Sequence, residues 1–283
     1  MANESTPLKE IVRSKYAEIA RQDKSTNQSS CCGAGGCSTE VYTIMADAYQ
    51  GMEGYVPEAD LGLGCGLPTE HAHIRMGDTV VDLGSGAGND CFVVRSLVGE
   101  TGQVIGIDFT PEMLQQARAN ASKLGFTNVE FREGDIEHIP VDANTADVVI
   151  SNCVLNLVPD KARVMQEMYR ILKPGAHFSV SDIVLDGTLP PAIRSAAEMY
   201  AGCVSGAIQS RVYLEFIQIA GFEGVTIQRE KPIYVPDDIL LQYVTPDELA
   251  AYRAQGHVLK SITVYGRKPL VDGFCDPTSG CCC

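Results

Sequence analysis

The sequence predicts an α/β fold built on a parallel sheet, and two observations lead to this prediction. From residue 79 onward, short apolar segments alternate with longer segments of helical periodicity, which is typical of parallel strands joined by helices. The first apolar segment also runs into an acid and a glycine-rich turn at residues 82–88. Because right-handed crossovers bring the carboxyl ends of these strands to one edge of the sheet, we expect a ligand site there.

The segments that precede the sheet are predicted to be helical or irregular. Apolar residues recur at helical spacing over residues 6–21, residues 24–36 are polar and rich in glycine and serine, and residues 38–49 again look helical. A loop rich in glycine and proline follows, in which Cys65 stands between two glycines. We expect its thiol to be open to a ligand rather than packed like a core cysteine.

Within the sheet region the alternation predicts five strands, at residues 79–83, 104–108, 129–133, 146–151 and 177–181. Helices are predicted at residues 90–97, 111–124 and 161–172. Beyond Asp182 the alternation ends. A helix opening at Pro190, a second helix at residues 211–220, and two strands at 225–229 and 261–266 that flank a helical region at 236–252 are predicted there.

The amino-acid composition limits the kinds of molecule that the protein is expected to bind. The chain of 283 residues has 36 acidic and 22 basic residues and a formal net charge of −14. Such a surface repels phosphate backbones and anionic lipids, so we expect neither nucleic acid nor a membrane as a partner. The sequence shows no apolar run long enough to cross a bilayer and no signal-peptide pattern at its start, so we expect a cytoplasmic protein, which we take to be a monomer.

The chain has eleven cysteines, which is a high number for a cytoplasmic protein. Thiols stay reduced in that compartment, so the cysteines favour soft-metal, metalloid or redox chemistry over a disulfide scaffold. The odd count also argues against complete pairing within the chain. Taken singly, each of Cys65, Cys153 and Cys203 is better explained by inert burial than by a functional role, and we expect that explanation to hold for Cys91.

Glycines and acids at the strand ends predict a nucleoside site. Gly84, Gly86 and Gly88 allow a tight turn and a close approach of ligand to backbone. Asp108 ends the second strand about 20 residues past the loop, where a carboxylate can accept both ribose hydroxyls. Met113 follows as an apolar wall for adenine. The loop lacks the Gly-x-Gly-x-x-Gly spacing of nicotinamide enzymes, although similar turns occur in dinucleotide-binding proteins and without a ligand.

Two further segments complete this array. Residues 134–136 follow the third strand and can cover the edge of the adenine, and residues 151–153 follow the fourth. The predicted cofactor-binding residues are Asp82, Gly84, Ser85, Gly86, Gly88, Asp108, Met113, Gly134, Asp135, Ile136 and Asn152. From Asp82 to Gly175 the array resembles the class I S-adenosylmethionine (SAM)-dependent methyltransferases. The resemblance implies a Rossmann-like sheet with helices on both faces, SAM as the methyl donor, and no requirement for a metal cofactor.

Three cysteine contexts narrow the resemblance further. Cys65 in Gly-Cys-Gly-Leu-Pro, Cys153 in Ser-Asn-Cys-Val-Leu-Asn-Leu and Cys203 in Gly-Cys-Val-Ser-Gly-Ala resemble the arsenite SAM methyltransferases. The resemblance implies that these three thiols bind trivalent arsenic and are catalytic, and that an upstream thiol, Cys37 or else Cys32, cooperates with Cys65. Two positions depart from the family pattern, namely Leu63, where an aromatic residue is frequent, and Asn89, where a basic residue is common.

The resemblance also implies partners and a domain organisation. The expected substrate is arsenite or its glutathione conjugate, and the expected reductant is thioredoxin or glutathione. The expected units are an N-terminal segment of helices and cysteine-bearing loops (1–70), the SAM-binding domain (71–188), an α+β arsenic-binding domain (189–269) and a cysteine-rich tail (270–283). We expect the tail thiols, Cys281 to Cys283 with Cys275, to serve as accessory arsenic ligands.

The chemistry of arsenic agrees with such a site. Trivalent arsenic is soft and prefers sulfur, and three thiolates leave it a lone pair that can attack a methyl group without a general base. After one methyl is added, two thiols, Cys153 and Cys203, suffice for the next transfer. Two alternatives remain at this stage. The chain can be a SAM methyltransferase for a small organic acceptor, with incidental cysteines, or a thiol protein that stores a soft ion without catalysis.

Overall fold

The computed structural model describes residues 5–21, 49–195 and 203–270. Its seven strands are β1 (Thr79–Leu83), β2 (Gln103–Asp108), β3 (Val129–Glu133), β4 (Ala146–Asn152), β5 (Leu172–Leu185), β6 (Glu223–Ile233) and β7 (Leu259–Arg267). They form one sheet in the order β3-β2-β1-β4-β5-β7-β6. Strands β1 to β5 are parallel, and β7 runs antiparallel to both β5 and β6. The predicted α/β fold is therefore confirmed.

The helices connect these strands in chain order. They are α1 (Ser5–Ala20), α2 (Pro68–His71), α3 (Asn89–Val98), α4 (Pro111–Leu124), α5 (Lys161–Ile171), α6 (Pro191–Ser195), α7 (Ser210–Ile219), α8 (Asp237–Leu240) and α9 (Pro246–Arg253). None of the helices within these described ranges is both long and apolar enough to cross a bilayer.

The helices cover both faces of the sheet because side chains alternate along each central strand. On β1, Val81 and Leu83 pack in the cluster that contains Met165 of α5 and Ile217 of α7. Val80, on the opposite face, packs in the cluster that contains α3 and α4. The alternation thus places a buried layer on each side of the strands and leaves their carboxyl ends free to build a site.

Three predicted elements differ from the structure by more than two residues. One is the predicted strand 225–229, which extends over Glu223–Ile233 as β6 because it pairs with β7 along that length. The predicted strand 177–181 is too short, because β5 also pairs with β7 from His177 to Leu185, which extends the strand beyond the apolar segment visible in the sequence. The predicted helical region 236–252 consists of two helices. The second begins at Pro246, where Thr245 and Glu248 form a reciprocal capping box that fixes a new helix start.

The C-terminal part of the chain completes the sheet. Strands β6 and β7 lie in the segment that the sequence assigned to a unit of its own, 189–269, and β7 hydrogen-bonds to β5 over nine residue pairs. The segments that are expected from the sequence to bind arsenic and SAM thus share one sheet. The predicted loop 24–36, the thiols Cys32 and Cys37, most of the predicted helix 38–49, and the tail 271–283 lie outside the described residues.

Candidate active site

A cavity of about 1030 Å³, including the part open to solvent, lies at the carboxyl ends of the central strands. Its lining comes from the segments that follow β1 to β4, at residues 84–87, 108–110, 134–136 and 152–154, and from residues 59–64. Lys9 and Tyr16 of α1 also line it. The edge of the sheet at which the sequence predicts a ligand site is therefore where the cavity is found.

The glycine-rich turn shapes the floor of this cavity. Gly84 has φ +76°, and a Cβ built on it would lie 2.3 Å from a methyl group of Val154. Gly86 has φ +52°, and its N–H donates to Asp108 Oδ2 at 2.9 Å. Only glycine combines this backbone conformation with so close an approach of a neighbouring side chain. The missing side chain of Gly84 thus makes room for Val154, whereas a Cβ on Gly86 would meet nothing within 4 Å, so the turn is open to a ligand at Gly86.

Two buried polar atoms beside the turn have no hydrogen-bond partner. The hydroxyl of Ser85 and the side-chain oxygen of Asn89 are buried without a hydrogen-bond partner, and both residues line the cavity. Buried polar groups are ordinarily satisfied, so these atoms are suited to a polar ligand. The cavity also carries the carboxylates of Asp60, Asp90 and Asp108, whose negative field favours a cationic group.

Asp108 is held rigidly at the end of β2. Its Oδ1 accepts the N–H of Thr110 at 2.8 Å, and its Oδ2 accepts the N–H of Gly86. Burial raises the pKa of this carboxyl, and the N–H donors act in the opposite direction. The carboxylate faces the cavity at the position predicted for a ribose contact.

Three predicted cofactor residues do not line the cavity. Met113, predicted as a wall for adenine, is fully buried in the core beneath α3 and α4, because its position on α4 faces the sheet. Asp82 is buried at the end of β1, where its carboxylate accepts the thiol proton of Cys91 at 3.2 Å. A Cβ on Gly88 would lie 2.8 Å from the ring of Phe92, so this glycine permits helix packing rather than ligand approach.

Asn152 lines the cavity but also holds the loop that carries Cys65. Its Oδ1 accepts the N–H groups of Cys65 at 3.0 Å and Gly66 at 3.3 Å. Its Nδ2 donates to the carbonyl of Gly66 at 2.9 Å and to the hydroxyl of Tyr49. Tyr49 in turn donates to Asp90 at 2.9 Å, and burial raises the pKa of Asp90 to about 6. A buried polar network therefore joins the cavity to the Cys65 loop.

The three predicted thiols come together beside the cavity. Cys65, Cys153 and Cys203 pack in one buried cluster, and the Cys203 thiol donates to the Cys153 carbonyl at 2.9 Å. Cys153 and Cys203 have φ values of +61° and +63°, a strained conformation for residues with a Cβ. Backbone strain of this kind is concentrated at functional sites. Of the three, Cys153 is the one that also lines the cavity.

All three thiols are buried, so the expectation of an open Cys65 is wrong. Cys65 has no exposed surface, because the loop folds inward onto β4 and β7. Burial raises the pKa of the Cys65 thiol. The pKa of Cys153 is raised well above its usual value by hydrogen bonds with Cys203 and Cys65 and by burial. The expectation of an inert Cys91 is supported, since this thiol is fully buried in the core.

The similarity to known proteins identifies the family. Residues 74–221 match a methyltransferase domain family. The chain is 39% identical over 277 residues to the arsenite methyltransferase of Halobacterium salinarum, an alignment that spans 93% of this chain and 67% of that protein. The chain belongs to the arsenite methyltransferase family.

Other arsenite methyltransferases agree with this assignment. One from Aquipseudomonas alcaligenes is 32% identical over 243 residues, covering 83% of this chain and 68% of that one. The crystal structure of an arsenic(III) SAM methyltransferase from Chlamydomonas reinhardtii matches with a TM-score of 0.61 at 32% identity, over 82% of this chain and 74% of that chain. The family resemblance drawn from the cysteine contexts is therefore confirmed.

Several parts of the candidate site were not predicted from the sequence. Tyr49, the segment 59–64 and the helix residues Lys9 and Tyr16 all line the cavity, yet they precede the sheet and carry no recognisable spacing. Asp90 stands within the glycine-rich motif, and its place directly after Asn89 at the start of α3 was a signal that could have marked it. The remaining residues reach the cavity only through tertiary folding.

Proposed function

We propose that this protein transfers methyl groups from SAM to trivalent arsenic held by its own thiols, giving methylated and dimethylated arsenicals in a detoxification reaction. The single observation that carries the proposal is the position of Cys153. Cys153 lines the cavity at the end of β4 and packs in one buried cluster with Cys65 and Cys203. An acceptor held there lies beside the space proposed for the methyl donor.

The cavity suits SAM. We propose that Asp108 accepts the ribose hydroxyls, that residues 134–136 cover the adenine, and that the oxygens of Ser85 and Asn89 bind polar groups of the cofactor. The support is that all of these residues line the cavity and that the two oxygens are buried without a hydrogen-bond partner. SAM supplies an electrophilic methyl group on a positively charged sulfur, which the carboxylates around the cavity stabilise. We propose that no metal cofactor takes part.

The thiols are suited to arsenite because the exchange of thiols for hydroxyls buries no net charge. When each thiol replaces one hydroxyl of arsenite, its proton leaves with that hydroxyl as water, so three thiols release three waters and no charge has to be buried. Among the described residues, no three Cys, His, Asp or Glu side chains already have the arrangement of a metal site. Binding therefore requires the three sulfurs to rotate toward one point, which the contacts of Cys153 on either side permit.

The protein then accelerates the transfer by holding the arsenic and the methyl donor in the correct geometry. The lone pair of arsenic forms the bond to carbon as the carbon–sulfur bond of the donor breaks, and the departing thioether is neutral. Since the nucleophile carries no proton, no general base is needed. Holding acceptor and donor in line can contribute up to roughly 7–11 kcal/mol in favourable systems.

The transfer leaves arsenic formally pentavalent, so two electrons must be returned. We propose that the thiol of Cys37, after loss of its proton, attacks the arsenic-bound sulfur of Cys65. A disulfide forms, the arsenic–sulfur bond breaks, and its electron pair stays on arsenic. Thioredoxin or glutathione then reduces the disulfide. With one methyl present, Cys153 and Cys203 hold the product for the second transfer.

We also propose that the protein acts as a cytoplasmic monomer, with the unit boundaries 1–70, 71–188, 189–269 and 270–283. The sharing of one sheet by the second and third units favours their acting as one body.

The test is arsenic speciation after reduced protein is incubated with SAM, arsenite and thioredoxin or glutathione. We expect methylated arsenic from the wild type, none from Cys153→Ser, and a rate within about twofold of wild type from Cys91→Ser, whose thiol lies in the core away from the cavity. Absence of methylated arsenic from wild-type protein that binds SAM would favour an organic acceptor. Activity retained by Cys153→Ser would overturn the proposed acceptor site.

A further inference from the structure

The loop that carries Cys65 is fastened to the sheet from two sides. On one side Asn152, at the end of β4, accepts the Cys65 N–H. On the other side the hydroxyl of Ser261, on β7, donates to the Cys65 carbonyl at 2.6 Å. Both peptide groups that flank the Cα of Cys65 are therefore held by strands of the sheet.

The glycines on either side of Cys65 make this fastening possible. A Cβ on Gly64 would lie 2.6 Å from Asn152 Nδ2, and a Cβ on Gly66 would lie 2.5 Å from Ser181 Oγ. The backbone of the loop thus rests directly on strand side chains, with no side chain of Gly64 or Gly66 between them. Glycines restrict the backbone little, so the hydrogen bonds to Asn152 and Ser261 determine the position of the Cys65 thiol.

We propose that Ser261, acting with Asn152, is a positioning residue that holds Cys65 against Cys153 and thereby equips the site for arsenite rather than for methylated arsenic. The inference rests on the proposed function. Arsenite has three exchangeable ligands and needs a third sulfur, which Cys65 supplies. Monomethylarsenite has two and is held by Cys153 and Cys203. Displacement of Cys65 therefore impairs the first methylation and spares the second.

Ser261 is a cleaner probe of this role than Asn152, which also lines the cavity. Ser179 on β5 provides a matched control. It is buried like Ser261, and its hydroxyl donates to the carbonyl of Pro68 at 2.8 Å, in the same segment but three residues beyond Cys65. Ser261→Ala and Ser179→Ala each remove one serine hydroxyl from a strand and one hydrogen bond from this segment.

The experiment compares both variants with the wild type in two assays. The first measures kcat and KM with arsenite and, separately, with monomethylarsenite. The second follows alkylation of Cys65 by iodoacetamide, read by peptide mass spectrometry, which requires no methylation activity. Since Cys65 is fully buried, its alkylation reports how often the loop opens. Ser261→Thr, which keeps the hydroxyl, tests for rescue.

For Ser261→Ala we expect kcat/KM with arsenite to fall roughly tenfold or more, as small misplacements of a reacting group do, with monomethylarsenite turnover within about twofold of wild type. Alkylation of Cys65 should accelerate roughly fivefold, as the loss of one buried hydrogen bond implies. Ser179→Ala should affect turnover of arsenite and of monomethylarsenite equally and should leave the alkylation rate of Cys65 unchanged. Ser261→Thr should resemble the wild type.

Equal losses for the two substrates, or unchanged alkylation of Cys65, would overturn the inference. If Ser261→Ala does not fold, Gly66→Ala provides the second variant, because its Cβ pushes the loop away from Ser181, and the same substrate selectivity is expected. A wild-type protein that methylates no arsenite would refute the proposed function instead. The alkylation result would still show whether Ser261 holds the loop.

Discussion

Asp182 carries a buried carboxyl whose ionisation should make the protein less stable as the pH rises. The side chain has no exposed surface, and its Oδ1 accepts the N–H of Ile183 at 2.9 Å. Burial raises its pKa from 3.8 to about 7, although that N–H and the charge of Lys161 favour the ionised form. We expect Asp182→Asn, which keeps the acceptor and the shape but cannot ionise, to remove this penalty.

The size of the effect follows from linkage. The folded state binds the proton more tightly than the unfolded chain, so stability is lost as the pH rises from 3.8 to about 7. At 1.36 kcal/mol per pH unit the full penalty is about 4 kcal/mol. Part of this penalty is already present at pH 5, because the Asp182 carboxyl of the unfolded chain is ionised at that pH. The advantage of Asp182→Asn over the wild type should therefore grow by about 2–3 kcal/mol between pH 5 and pH 8.

The measurement is urea-induced unfolding of both proteins at pH 5, 6, 7 and 8 in the presence of a thiol reductant. Asp186→Asn serves as the control, since Asp186 is exposed just past the end of the same strand and pairs with Lys260 at 2.6 Å. Its stability difference from the wild type should stay within about 0.5 kcal/mol over this range. A difference between Asp182→Asn and the wild type that is the same at pH 5 and pH 8 would show that this carboxyl does not titrate as its burial requires.

Three further predictions concern the cavity and the fold. Asp108→Ala removes the carboxylate that accepts hydrogen bonds from the glycine loop, and calorimetry should show the Kd of SAM rising roughly 10- to 100-fold. A change below about threefold would argue against a contact between Asp108 and the ribose. Lys9→Ala removes the ion pair to Asp135 at the cavity, at 2.6 Å, and should raise that Kd roughly fivefold, while Lys15→Ala, which loses an exposed pair on the same helix, should leave it unchanged. Lys268→Met removes the ammonium donor from three acceptors, of which the Leu172 carbonyl is buried, so chemical denaturation should show a loss of about 1–3 kcal/mol, with methylation per folded molecule unaltered.

The periodicity of the sequence located the strands of the sheet well because it records burial. β1 and β3 have the predicted bounds, and β2 and β4 differ by one residue at one end. Strands in the centre of a parallel sheet are apolar on both faces, which sets them apart from amphipathic helices. The prediction was poorest for β5, whose extra length depends on pairing with β7, a strand that follows it by some 70 residues in the chain.

Within the site, the residues that follow the strands were predictable because the fold itself places them at one edge. Asp108, Gly86 and residues 134–136 line the cavity as expected. Met113 and Gly88 do not, since a motif gives the order of residues and not the direction in which each side chain points. Met113 faces the sheet because of its position on α4, and the motif contains nothing that records this.

The sequence by itself determined the fold class, the glycine turn, the acid at the end of β2 and the family to which the three cysteine contexts belong. These features are local, because each depends on residues within one strand, turn or helix. The tertiary structure alone decided that Cys65 is buried, that Asn152 holds its N–H across 87 residues and that Ser261 holds its carbonyl across 196. Such contacts depend on the order of the strands in the sheet, which brings β4 and β7 to the same loop. Apolar periodicity specifies which face of a strand is buried, but it does not specify which distant segment covers that face.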